Sequence, residues 1–217
     1  MPHPDSPIQD PYLGRDALHG FDLMIVAAMD LNTKVAKSTH GRDLSRLQRA
    51  ACQIIPNGFS IALSVRELVR TGYLFSAEIL LRPLIERVAV LSYLMSAGDP
   101  ALDLWERGWP HKSRPPLKTM LDTVKEYDDF EGPEDIRTLT KTMIEQFNTV
   151  VHADPQGLNT NIGTPVAGNL GYLSGANLSD PLRCDRICHT IVIYMSLLMK
   201  RAIEIFPDFD VSSGAVH

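Results

Sequence analysis

Apolar residues recur every three or four positions along most of this chain, and that period predicts helices. The first covers about 17–38, with Leu18, Phe21, Ile25, Ala28, Met29, Leu31 and Val35 at helical spacing. Asp16 is placed to cap it, and His40-Gly41 ends it. A second runs from near Asp43 to about Thr71. Pro56 lies inside it and removes a backbone donor, which predicts a kink or a break. The third, GYLFSAEILLRPLIERVAVLSYLMS over 72–96, is apolar on nearly every side. As one helix it spans about 37 Å at 1.5 Å per residue. Pro83 in its middle leaves the carbonyl of Ile79 without its usual partner. Gly98-Asp99-Pro100 closes it. Short helices follow over about 100–107 and 116–127. Pro133 is placed as the first residue of a helix over about 133–152, which ends at His152. The last helix spans about 180–206, opened by Asp180-Pro181, with Leu182, Ile187, Ile191, Tyr194, Leu198, Ala202 and Ile205 as its inward stripe.

Residues 154–179 break the pattern. They hold five glycines, four asparagines and no charge after Asp154, which predicts a long functional or irregular loop. No alternating run predicts a strand, and no internal repeat is present. The fold class is therefore all-α: an up-and-down four-helix bundle core, with additional short helices and a long Gly/Asn-rich loop. Four prolines in residues 1–14 predict an extended N-terminal arm. Residues 15–207 form a single helical-bundle domain, and 208–217 a C-terminal tail.

Composition narrows the class. Of 217 residues, 44% are hydrophobic and 22% charged, which suits a globular core without disulfides or structural metal. The net charge of -5 argues against a dedicated nucleic-acid binder. Three cysteines without framework spacing fit a reducing compartment. The N-terminus lacks the basic and apolar segments of a secretory signal. No segment has the roughly 20 clean apolar residues of a membrane span. A cytoplasmic protein is expected.

Four stretches carry candidate chemistry. Glu78, Arg82 and Glu86 stand four residues apart in the apolar third helix, a spacing that makes them neighbours. They are either an internal ion-pair lock or a pre-organised anion site, with Glu86 orienting Arg82. Asn148 and His152 are also four apart, at a helix C-terminus that favours imidazolium. The stretch WERGWPHKSRPPLK interleaves Trp105 and Trp109 with Arg107, His111, Lys112 and Arg114. It is either an anionic-ligand or partner patch, or a surface loop anchored by two tryptophans. In CDRICH, Cys184 and Cys188 read as small apolar core residues, since a structural zinc site needs four ligands and no CxxC pair exists. No phosphate-cradling glycine loop, nucleophile elbow or HExxH motif occurs, so no cofactor and no metal are expected.

An apolar helix with Arg82-x-x-x-Glu86, then a later helix ending in Asn148-x-x-x-His152 before a Pro/Gly loop, resembles a group of uncharacterised bacterial helical domains. These are similar to the HEPN (higher eukaryote and prokaryote nucleotide-binding) superfamily. The resemblance covers roughly 45–205. It implies a helical bundle that forms a homodimer, with RNA or a nucleotide as the possible ligand. Members with ribonuclease activity cleave RNA without metal. They use an Arg, then a polar residue, then a His on one helix, in acid–base and electrostatic catalysis. Asn148 and His152 match the last two. Phe147 stands where the Arg is expected, with Gln146 before it, and Arg82 is the candidate replacement. Three functions follow as expectations: a binding or regulatory module with a polar Arg82/Glu86/Asn148/His152 cluster, a metal-independent ribonuclease in a defence or toxin–antitoxin setting, or a purely structural helical dimer.

Overall fold

In the computed structural model, residues 10–127, 136–151, 162–166, 169–172 and 180–207 are described. The architecture is all-helical with a bundle core. In order come α1 (Asp16–Thr39), α2 (Arg46–Arg70), α3 (Leu74–Ile79), α4 (Leu81–Ala97), α5 (Asp99–Glu106), α6 (Leu117–Leu121), α7 (Ile136–Val151) and α8 (Pro181–Ile205). The four long helices α1, α2, α4 and α8 form the core, and α8 touches each of the other three. No helix among the described residues is long and apolar enough to cross a membrane.

α2 starts three residues later than its expected start near Asp43. Ser45 accepts from the backbone N–H of Gln48, whose side chain accepts from Ser45 N–H in return. This reciprocal cap satisfies two donors that a helix start otherwise leaves unpaired. Pro56 does not break α2, which runs unbroken through it. Ile54, Ile55, Gly58 and Phe59 around the proline are all buried, so tertiary contact holds the turn that the missing hydrogen bond weakens.

The stretch 72–96 is not one helix. It divides at Leu80 into α3 and α4. Division moves Pro83 from the middle of a helix into the first turn of α4, where a proline needs no donor. Gly72 has φ +79°, a backbone turn open to glycine, and it redirects the chain from α2 into α3. The expected helix over 116–127 is also shorter. α6 ends at Leu121, and a separate 3-10 turn covers Lys125–Tyr127.

Residues 10–14 belong to the domain and not to an arm. Tyr12 is buried, Asp10 pairs with Arg66 at 2.8 Å, and Arg15 pairs with Asp185 on α8. Within the expected loop 154–179, a two-stranded antiparallel hairpin joins β1 (Ile162–Val166) to β2 (Asn169–Tyr172). The rest of that loop, residues 1–9 and the tail 208–217 lie outside the described residues.

Candidate functional site

The charged column divides with its helix. Glu78 in α3 accepts from Arg183 of α8, with Nε at 3.0 Å, and not from Arg82. Arg82 in α4 reaches Glu86 at 3.4 Å, and Glu86 also meets Arg114 at 3.4 Å. These two contacts are long for charge-assisted hydrogen bonds. Arg82 keeps 26% of its side chain exposed and Glu86 keeps 18%.

Asn148 sits on α7 with its Oδ1 buried and, among the described residues, without a hydrogen-bond partner. Among the described residues, no hydrogen bond or ion pair joins it to Arg82 or Glu86. His152 lies outside the described residues.

Among the described residues the buried arginine is a different one. Arg201 on α8 retains 8% side-chain exposure. It donates to Ser92 of α4 at 3.1 Å, and it pairs with Glu126 and Glu204. Burial pushes the Glu126 carboxyl up. Its backbone N–H, Lys200 and Arg201 outweigh that and hold it below the usual glutamate range.

The aromatic and basic stretch does not converge on one site. Trp105 and Trp109 rest against the core, and the Trp109 ring lies 6.3 Å from that of Tyr93. Arg107 donates to the backbone of Asp103, and Arg114 turns to Glu86. Lys112 is exposed in the turn Pro110–Lys112, which also contains His111. Trp109 has φ +55° and Lys112 φ +63°, so the turn is held in a conformation that L residues rarely adopt.

Cys184 and Cys188 lie buried one turn apart on α8, with sulfurs 4.0 Å apart. The Cys184 sulfur and burial push the Cys188 thiol up. No group of three His, Cys, Asp or Glu side chains among the described residues is placed to hold a metal ion.

A large cleft, of about 1040 Å3, lies between α3, α7 and α8. α7 is tied to the bundle at its N-terminal half. Thr140 shares a buried hydrogen bond with Tyr194 of α8, and Lys141 reaches Asp122 at 2.9 Å. The cleft opens beyond that anchor, along Thr142–Thr149 of α7. Its opposite wall is α8, where Arg183, Arg186, His189, Thr190 and Ile193 recur at helical spacing. Asp180 fixes where that wall starts, because its side chain accepts from the N–H of Arg183 at 3.1 Å. Arg183 is committed to Glu78, and its guanidinium lies 5.8 Å over the Phe75 ring. Arg186 and His189 are exposed and make no ion pair among the described residues. Glu145 and Gln146 face them from α7.

The reading of the sequence passed over Arg186 and His189 because CDRICH was weighed only for metal binding. An Arg and a His three apart in the first half of α8 was the available signal. Set against family models, curated proteins and solved structures, the chain matches none of them.

Proposed function

We propose that this protein is a HEPN-like binding module, non-catalytic, whose ligand is a nucleotide or a single-stranded RNA segment held in the cleft between α3, α7 and α8. One observation carries the reading: a cleft of about 1040 Å3 has Arg186 and His189 on one wall, both outside any ion pair among the described residues. An unpaired guanidinium beside an imidazole supplies donors for phosphate oxygens. Glu145 and Gln146 on the other wall supply acceptors for the N–H groups of a base. Arg183 over Phe75 adds a flat cationic surface of the kind on which bases stack.

Fluorescence anisotropy with a labelled 12-nucleotide RNA and with ATP tests this. Arg186→Ala and His189→Ala are expected to weaken binding about tenfold each, whereas Lys112→Ala leaves it unchanged. Binding is expected to fall as salt rises, because phosphate contacts release counterions. Absence of binding to both probes, or loss with Lys112→Ala and not with Arg186→Ala, overturns the reading.

A second reading, metal-independent RNA cleavage, is favoured by the same Arg–His pair and by the buried Oδ1 of Asn148, which has no partner among the described residues and stands four positions before His152 in the sequence. Mixed RNA incubated in EDTA with the wild type, His152→Ala and His189→Ala decides it. No cleavage that depends on either histidine removes the ribonuclease.

A further inference from the structure

A second cavity, of about 300 Å3, lies at the opposite end of α8 from the cleft, between the C-terminal half of α1, the first half of α2, and Ala202 and Phe206. Among the described residues no Asp, Glu, Lys or Arg lines it. Leu31, Val35, Ile55 and Phe59 form its apolar walls, with Asn32, Thr39 and His40 as polar members. The Thr39 hydroxyl is committed to the carbonyls of Val35 and Ala36. A site without charge rejects ions and accepts neutral apolar molecules.

One backbone acceptor distinguishes this cavity from a packing defect. α2 lines it with Ala51, Cys52, Ile55, Pro56 and Phe59, which is one face of the helix. In a helix the carbonyl of Cys52 receives the N–H of the residue four ahead. That residue is Pro56, which has none. The missing hydrogen bond therefore falls between two residues that both line the cavity, and it leaves the Cys52 carbonyl without its usual intrahelical donor there. Pro56 weakens α2 relative to any other residue, and the structure shows no break or turn that needs it.

We propose that this cavity is a binding site for a small neutral apolar molecule carrying one N–H or O–H donor, which takes the hydrogen bond that Pro56 withholds from Cys52. Its volume is about twice the ~150 Å3 of an engineered cavity that holds benzene, so a two-ring molecule is the matching size. The site stands apart from the nucleotide cleft, and its test does not depend on that reading.

Indole and benzofuran are the probes, since they share a shape and only indole carries an N–H donor. Isothermal titration is expected to show indole binding about tenfold tighter than benzofuran, the difference one hydrogen bond makes. Occupancy is expected to slow maleimide alkylation of Cys52, which is half-buried where Cys184 and Cys188 are buried. Ala36→Phe, at an exposed position of α1 that lines the cavity, is expected to abolish binding of both probes. Pro56→Ala restores the N–H and is expected to bring indole and benzofuran to equal affinity. Circular dichroism confirms that each variant is folded, and if either is not, the wild-type comparison of the two probes decides alone. No binding of indole, equal binding of the two probes to the wild type, or unchanged binding by a folded Ala36→Phe overturns the proposal.

Discussion

Arg82 and Arg201 show how little an arginine's place in the sequence says about its energetic role. Arg82 stands in the most apolar stretch of the chain, yet it is a quarter exposed and its one ion pair spans 3.4 Å. Arg201 lies near the C-terminus beside Lys200, yet it is buried and reaches Glu126 and Ser92. Removing one partner of a buried pair costs about 3–5 kcal/mol when the other charge is left uncompensated, and Lys200, which stays on Glu126 at 3.1 Å, puts the Arg201 loss at the low end. An exposed pair is worth about 1 kcal/mol or less. Arg201→Met is therefore expected to destabilise by about 3 kcal/mol, and Arg82→Ala by under about 1 kcal/mol, read from urea midpoints. The pH dependence follows from Glu126. Its folded-state pKa is depressed, so its contribution is present at neutral pH and disappears as pH falls through the folded value. Stability of the wild type should decline between about pH 5 and pH 3, where glutamates titrate. Arg201→Met should decline less steeply over that window. Equal slopes would show that the Arg201 pair is not what holds Glu126 ionised.

At the scale of the element, the helix signals and the helix partners had different legibility. Periodicity located every long helix, and Asp180 does cap α8 as its position suggests. The two internal prolines behaved oppositely. Pro83 coincides with a division of its helix and Pro56 does not. The local chemistry is the same in both cases, so the difference lies in what surrounds them. Gly58, two residues beyond Pro56, marks where α2 meets α8. A Cβ placed there would stand 2.4 Å from the end of the Leu198 side chain, which is fully buried. Gly58→Ala is expected to cost about 1–3 kcal/mol by overpacking, although alanine is the better helix former. A rise in Tm would show that the contact between these helices has slack. Leu182, expected on the inward stripe of α8, is 74% exposed. It stands in the first turn, five residues before Ile187 and so well round the helix from the buried stripe, while Cys184 takes the inward position there.

Across the whole molecule, long-range ion pairs and one aromatic residue attach the N-terminal segment to the bundle. Tyr12 is buried, Arg15 reaches Asp185, and Arg66 holds Asp10 and Asp22 together. Burial pushes the Tyr12 hydroxyl up, so it stays neutral over the ordinary pH range. Tyr12→Ala should cost about 3–5 kcal/mol, as for other buried aromatic residues. Limited proteolysis should then cut at residues 10–15 in the variant and not in the wild type. A wild-type cut there would mean that the segment is not part of the domain.

The sequence by itself determined the helical class and the approximate positions of the long helices, because period, caps and glycine turns are local properties; it did not show the division at Leu80. It also set Glu78 beside Arg82 in an apolar stretch, with an ion-pair lock as one of two readings. It did not show which cation Glu78 takes, and neighbour spacing favoured Arg82. Only the tertiary structure decided for Arg183, 105 residues away, because the division at Leu80 separates Glu78 from Arg82 and α8 passes close by. The clefts on either end of α8 belong to the same category. They are made by the gaps between helices that touch in one place and not in another, and no property of a single helix contains that distance.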